Sequence, residues 1–529
     1  MNKTPNLDQL SEEQLRALAA QLLVEAQQKD QQIAEQNVLI DNKEKTILSV
    51  TTENQKLKHE MAILKRHKFA RTSEALNSHQ RSLLDDLVNE DIAAIEEQLA
   101  LHDQQLAEVN RTTVEKRQPK RTALPAELPR TIIRHEPDNT QCSCGCQLKR
   151  IGEDTSEKLD YTPGSFTVEQ HIRGKWVCDH CETLTQAPVP AQVIDKGLPT
   201  AGLLAHVLVA KYGDHLPLYR QAKIFARAGM EIPRSTLADW IGRCGVALQP
   251  LVDALREQLH KEAVLHADET PVAMLSPGKG NTHKAYVWAY TSTTFSDLNA
   301  VVYDFAPGRS GEHARAFLDG WQGNLVCDDF SGYKASFKQG ITEIGCMAHA
   351  RRKFFDLHAA NHSTLAEYVL QQIGNLYKVE RQIKHLDTDQ RKAVRQQQAK
   401  PILDQLYQWL TLQRQKVPNG SAIAKAIDYS VKRWKALTRY CDDGDIPIDN
   451  NRVENQIRPW ALGRSNWLFA GSLRSGQRAA NVMSLIQSAK LNGHDPYVYL
   501  KDVLTRLPMQ KNNRLDELLP HRWVESVKV

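Results

Sequence analysis

The heptapeptide "HADETPV", residues 266 to 272, decides how the second half of this chain is read. It follows the charged helical run "LREQLHKEAV" (255–264). Asp268 closes a short apolar stretch, "AVLHAD" (263–268), with the composition of a buried strand. A strand that enters a core and ends on a carboxylate, with Glu269 beside it, needs an explanation. Burying an ionised carboxylate costs several kcal/mol unless a cation or hydrogen bonds compensate. The plain alternative is a strand-end Asp that meets solvent or caps the next turn, and Asp268 alone does not decide the matter.

Downstream the texture is that of alternating elements. "AVLHADET" (263–270), "AYVWAYTS" (285–292) and "NAVVYDFAP" (299–307) are three strand-like runs at close spacing. "SGEHARAFLDG" (310–320) is helical, "GNLVCDDFSGY" (323–333) carries a fourth strand and "ITEIGCMAHA" (341–350) a fifth. Three strands, a helix, a strand, a helical segment and a strand is the order of a ribonuclease H-like α/β domain. Residues 350–440 then read as almost wholly helical. "IPIDNNRVENQIRP" (446–459) opens a further helix, which Pro459 is expected to end.

That order gives Asp268 a purpose. Strand one ends at Asp268 and strand four at Asp328, and in such a sheet the two strands are neighbours. Glu454, in the later helix, can pack over the same end. Three acids from three elements suit a pair of Mg²⁺ (or Mn²⁺) ions about 3.5–4 Å apart. The metals supply the counter-charge that makes burial of Asp268 tolerable. Each acid also has a plain reading. Asp328 and Asp329 fit a solvated turn, Glu454 fits a capping box begun by Asn451, and Asp449 is a better N-cap than a catalyst.

The first half has a different character. Residues 7–68 are rich in Gln, Glu, Lys and Leu. Ile33, Ile40, Ile47, Asn54 and Met61 fall seven apart, with Val50, Leu57 and Leu64 three after them. This is an a/d seam with Asn54 at an a position, so a coiled coil and a homo-oligomer are expected. The alternative is a long helix packing on its own chain. Prolines in "VEKRQPKRTALPAELPR" (114–130) mark a linker. Five of the nine cysteines crowd into residues 142–181 among short strands. Cys178 and Cys181 have the usual spacing for zinc, and the tighter "CSCGC" supplies Cys142 and Cys144, with Cys146 as the alternative, so a structural Zn²⁺ is expected. "HLPLYRQAKIFARAGM" (215–230) and "RSTLADWIGRCGVAL" (234–248) form a helix, turn, helix outline, the second helix capped by Ser235. Arg220, Arg227 and Arg234 are its candidate DNA contacts. Arg464, Arg474 and Arg478, interleaved with Trp460 and Trp467, are candidates for phosphate and base-stacking contacts. The alternative for the tryptophans is core packing.

The totals exclude little but agree. Net charge is +5, so basic character is local. No stretch approaches the ~18 apolar residues of a membrane span. Scattered cysteines outside the cluster do not form a secreted disulfide framework. A cytoplasmic protein with no membrane partner is the expectation.

The chain resembles the IS66 transposases of bacterial insertion sequences. The resemblance rests on "LKRHKFARTSE", "CSCGCQLKRIGEDTSEKLDYTPGSFTVEQHIRGKWVCDHC", "HADETPV", "CDDFSGY", "GCMAHARRKFFD", "DNNRVENQIRP" and "GRSNWLFAGS". It implies a coiled coil, a zinc module, DNA-binding helices and a DDE catalytic core. It implies Asp268, Asp328 and Glu454 as the triad, with Asp329 in a slot usually held by a small residue and so a rival second acid. It also implies double-stranded DNA as partner, both transposon ends and target, and companion proteins of the element. Cys346-x-x-His349 resembles a motif of transposases that carry a helical insertion; two ligands do not fill a zinc site, so core support is favoured. The expected division is a coiled coil to 75, helix and linker to 129, the zinc module to 195, and a helix-turn-helix-like region to 254. The core follows as 255–357 and 445–495 around a helical insertion at 358–444, with a tail from 496. A non-catalytic DNA-binding regulator and a nuclease that cuts without joining are the rival classes.

Overall fold

The computed structural model describes residues 12–69, 78–110 and 124–525, apart from 127, 138–139, 142, 145, 163, 195–196 and 277–280. The chain divides into two units, residues 1–69 with 95–121, and residues 70–94 with 122–529.

In the first unit, a run without Gly or Pro forms one long helix, α1 (Glu12–Phe69), and α2 (Ser78–Asn110) contributes its second half. Leu57 is buried with Ile95 and Leu99 of α2, and Met61 and Leu64 pack alongside. Asn54, expected to set register between copies, has Oδ1 2.8 Å from Nδ1 of His102 in the same chain. The lower part of the seam is therefore partnered within the chain. Ile33 and Ile40, in the upper part, are about half exposed in the single chain.

The second unit begins with a β ribbon. β1 (Arg130–His135) runs parallel to β3 (Ser165–Val177). β2 (Lys149–Thr162) and the short β4 (Leu184–Gln186) pair with β3 antiparallel. Gly164, at φ +94°, makes the tight turn between the long strands. At this end Leu159, Tyr161, Phe166 and Val168 join the main core, where Tyr161 and Phe166 pack on Phe225. The cysteines lie at the opposite end. Four helices follow, α3 (Ala201–Tyr212), α4 (Leu218–Arg227), α5 (Arg234–Ala247) and α6 (Gln249–Leu259). α5 starts one residue before Ser235, with Pro233 at the cap position, so Ser235 is inside the first turn and does not cap.

A five-stranded sheet comes next: β5 (Val264–Leu275), β6 (Thr282–Ser292), β7 (Val301–Ala306), β8 (Asn324–Cys327) and β9 (Thr342–Gly345). Its order is β7-β6-β5-β8-β9, with the first three antiparallel and β5, β8 and β9 parallel. α7 (Gly311–Phe317) connects β7 to β8, and the short α8 (Lys334–Phe337) lies before β9. Asp268 is not the strand end. β5 continues to Leu275 because β6 pairs with it throughout, Asp268 opposite Ala289 and Leu275 opposite Thr282.

α9 (Met347–Asn361) leads into a helical insertion of α10 (Thr364–Ile383), α11 (Thr388–Val394), α12 (Lys400–Lys416), α13 (Ala422–Lys432) and α14 (Trp434–Thr438). These bury a core of their own, including Ile373, Leu406 and Ile427, which also takes Val326 of β8 and Ile344 of β9. α15 (Asn451–Trp467), α16 (Leu473–Leu491) and α17 (Pro496–Arg506) complete the fold. Pro459 does not end α15. A proline removes one N–H from the helix, but buried Ile457 and Trp460 hold the same face against the core on both sides of it. α16 covers the edge of the sheet at β7, where Ser484 and Ser488 hydroxyls accept the N–H groups of Tyr303 and Val301 at 2.9 and 3.0 Å.

Candidate active site

The register of β5 against β8 sets the first two acids. Val264, Leu265 and His266 pair with Asn324, Leu325 and Val326. Two steps further along, the same register brings Asp268 and Asp328 to one face, because side chains alternate. β8 has ended by then, so the acids lie where the parallel pair opens. Glu454, in the first turn of α15, faces them from the helix packed on that side. Burial pushes the Asp268 carboxyl up to about 8, and the charges of Glu269, Asp328 and Glu454 push the same way, against one backbone hydrogen bond from Glu269. Asp328 and Glu454 beside the desolvated Asp268 carboxyl make a site that a cation would stabilise. The residues present fit a divalent pair.

Glu269 belongs to the other face of β5. Its carboxylate accepts from Arg309 Nε at 2.7 Å and from the Tyr333 hydroxyl at 3.1 Å. Asp329 is also engaged elsewhere, in an ion pair with Arg433, whose other nitrogen reaches Glu343 at 2.7 Å. Asp328 accepts from the Phe330 N–H at 2.9 Å, which turns the loop after β8. Between the two acids at the end of β8, the arrangement therefore favours Asp328.

Sequence reasoning missed the group that joins these elements. Asn450 is fully buried. Its amide nitrogen donates to Ala267 O at 2.9 Å, its Oδ1 lies 2.8 Å from His266 Nδ1, and its N–H donates to Cys346 Sγ at 3.2 Å. Burial lowers His266 to about 4, so the ring is neutral. Since Asn450 Oδ1 accepts, His266 carries its proton on Nδ1. One amide thus fixes the strand of Asp268, the start of α9 and the helix of Glu454. Only a partner far away in sequence shows this, so no local pattern could have found it. Asp449 is more than a simple cap. It accepts from Asn451 N–H at 3.0 Å and from the Tyr377 hydroxyl of the insertion at 2.7 Å. Asn450 occupies the cap position of α15, but its side chain makes no bond to the backbone of that helix, so Glu454 is not part of a capping box.

At the far end of the ribbon, Cys144, Cys146 and Cys178 bring their sulfurs within 4.8 Å of one another. Cys144 Sγ lies 3.7 Å from both Cys178 and Cys181 Sγ. Tetrahedral Zn–S bonds of about 2.3 Å imply sulfurs about 3.8 Å apart; Cys144, Cys146 and Cys178 are grouped as a zinc site needs, and Cys181 joins them through Cys144. Cys146 is in this group. Cys142, the other candidate, lies outside the described residues.

The basic candidates separate. Arg220 and Arg227 are exposed on one face of α4, together with Lys223, which sequence reasoning passed over. Arg234 is half-exposed beside them and 4.0 Å from Asp86. α5, the second helix of the expected helix, turn, helix outline, buries Leu237, Ala238, Trp240, Ile241 and Cys244 and shows little but its first turn to solvent. Its Gly242 and Gly245 lie where a Cβ would strike Glu90 and Arg478. Arg464 donates to Pro271 O at 2.9 Å, which ties α15 to β5. Arg474 is half-buried in the first turn of α16. Arg478 corrects the expectation: it is buried, 2.6 Å from Asp91 and close to Glu90, which itself pairs with Lys211. It neutralises acids of α2 and is not available to a phosphate. Trp460 is core, and Trp467, partly buried, packs edge-on against it at 5.7 Å.

Four family models match the chain. Transposase IS66 family matches residues 196–478 and the IS66 C-terminal element residues 484–521. The zinc-finger binding domain of transposase IS66 matches 139–182, and Transposase C of IS166 homeodomain matches 56–133. Among curated proteins, uncharacterized protein y4hP of Sinorhizobium fredii (strain NBRC 101917 / NGR234) is 32% identical, covering 90% of this chain and 89% of its own length. From the same organism, uncharacterized proteins y4jD and y4qI are 37% and 38% identical, each covering 76% of this chain, with 81% and 77% of their own lengths. With its zinc-finger, central and C-terminal regions all matched, the chain belongs to the IS66 family of insertion-sequence transposases.

Proposed function

We propose that the protein cuts DNA at transposon ends and joins them to target DNA, using Asp268, Asp328 and Glu454 as a DDE triad. The observation that carries this is Asp268, held largely buried in mid-strand with Asp328 on the same face and Glu454 facing it. The strand order β7-β6-β5-β8-β9 supports a ribonuclease H-like core. The three carboxylates would hold two Mg²⁺ or Mn²⁺ ions, which when bound lower the pKa of water and stabilise a leaving oxygen. Water attacks the phosphorus and the P–O3′ bond breaks; the 3′-OH so freed then attacks a target phosphodiester at the same site, where a new P–O bond forms as the target's own P–O3′ bond breaks and its 3′-oxygen leaves. The chain's own contribution is placement: Asn450 sets Glu454 against Asp268, and Arg433 holds Asp329 away from the reacting centre. No serine or tyrosine nucleophile is required.

Arg220, Arg227 and Arg234, with Lys223, would hold the DNA backbone near α4, and Arg464 and Arg474 would lie nearer the reacting end. The four-cysteine group would hold a structural Zn²⁺. The exposed upper seam of α1 would pair copies of the chain, and companion proteins of the element would assist. No helix among the described residues is long and apolar enough to cross a membrane, and we place the protein on the bacterial nucleoid. The test is end cleavage and strand transfer with Mg²⁺ on the element's own termini. Joined product is expected. Cutting without joining would indicate a nuclease, and binding without cutting a regulator.

A further inference from the structure

Behind the triad is a second group of ligand atoms. Cys346 Sγ, His349 and Glu454 bring one ligand atom each within 4.8 Å of one another. His349 Nδ1 and Glu454 Oε1 are 3.7 Å apart, and both atoms are buried without a hydrogen-bond partner. Buried polar atoms left unpaired are uncommon and need a reason. Cys346 stands at the cap of α9, where its sulfur accepts backbone N–H groups from Asn450, at 3.2 Å, and from His349. The spacing of three residues at a helix start puts the thiol and the imidazole on one side, and α15 supplies the carboxylate from across the interface.

We propose that Cys346, His349 and Glu454 form a site for a soft or borderline divalent cation of the zinc class. One sulfur, one nitrogen and one oxygen suit Zn²⁺, whereas Mg²⁺ takes oxygen ligands. Three protein ligands leave the fourth position of a tetrahedron open. Arg352, 3.7 Å from Glu454 Oε2, engages the opposite oxygen and leaves Oε1 for the cation. The site is separate from the four-cysteine group, and its occupancy has a consequence. Glu454 would also serve the Mg²⁺ pair, so a zinc ion bound here withdraws the third acid. Micromolar Zn²⁺ then inhibits Mg²⁺-dependent cleavage. This consequence, unlike the binding itself, rests on Glu454 being the third acid of the triad.

The test is zinc stoichiometry by equilibrium dialysis of the full-length chain against micromolar Zn²⁺, followed by metal analysis. Wild type is expected to hold one more zinc per chain than His349→Gln, Cys346→Ser or Glu454→Gln. The His349 side chain is about a quarter exposed, and an unchanged melting curve for His349→Gln checks that the variant keeps the fold. Equal zinc in wild type and His349→Gln overturns the site and leaves a plain His349–Glu454 ion pair. A loss in His349→Gln without a loss in Cys346→Ser overturns the ligand set. If the extra zinc is present but does not slow cleavage by wild type, the shared use of Glu454 is wrong. The count does not depend on activity, so failure of the catalytic reading, seen as cleavage that survives Asp268→Asn, is a separate result.

Discussion

His266 Nδ1 and Asn450 Oδ1 lie 2.8 Å apart, across 184 residues of sequence, and this contact joins the strand of the first acid to the helix of the third. Asn450→Leu removes the contact together with the bond to Ala267 O. A buried group left unpaired costs about 1–3 kcal/mol, so thermal stability should fall. Cleavage should fall about 10–100-fold, as for other groups that orient metal ligands, with a matching rise in the Mg²⁺ needed for half-maximal rate. A lower melting temperature with an unchanged Mg²⁺ dependence would reduce Asn450 to a packing role.

The raised Asp268 carboxyl predicts a pH-dependent stability. Its folded pKa, about 8, exceeds the unfolded value near 3.8. The folded state therefore keeps a proton that the unfolded state loses, and stability falls as pH rises from about 4 to about 8. Asp268→Asn removes this loss. In EDTA, the variant should match wild type near pH 4 and exceed it by about 1 kcal/mol or more above pH 8. Equal melting curves at pH 5 and pH 8.5 would show that Asp268 is not desolvated.

The cysteine end and the turn end of the ribbon should respond differently to metal removal. Leu159, Tyr161, Phe166 and Val168 are held by the main core. Leu148, Cys178 and Trp176 form a small cluster of their own at the far end. Cys178→Ser with Cys181→Ser should expose residues 140–150 and 176–186 to protease and spare the turn. Cleavage throughout 130–195 would mean that the zinc end organises the whole ribbon.

Exposed Arg220, Lys223 and Arg227 on α4 predict a salt effect. Replacing all three with Gln should weaken end binding and reduce the slope of log K against log salt by about 0.9 for each phosphate no longer neutralised. An unchanged slope would place the DNA elsewhere.

Much of this was legible from local pattern, because strands and helices announce themselves through apolar periodicity. The runs around Leu265, Val287, Val302, Val326 and Ile344 are β5 to β9. Glu454 could be placed at the start of a helix. Long-range pairing was not legible. Arg478 looks like a surface cation until Asp91, 387 positions earlier, is brought against it. Asn54 looks like a contact between copies until His102 folds back onto it. Pro459 looks like a stop until Trp460 and Ile457 are seen in the core. The Asp328 or Asp329 choice depended on Arg433, supplied by the helical insertion.

The most direct test compares five single variants in one assay of end cleavage and joining with Mg²⁺, at DNA concentrations that saturate binding. Asp268→Asn, Asp328→Asn and Glu454→Gln should fall to background while still binding DNA, and any two combined should be no worse than one, because the acids act as a unit. Asp329→Asn and Glu269→Gln, whose partners are Arg433 and Arg309, should keep measurable activity. If Asp329→Asn is inactive and Asp328→Asn is active, the second acid has been misassigned. Cleavage and joining by Asp268→Asn at near wild-type rate would contradict the account.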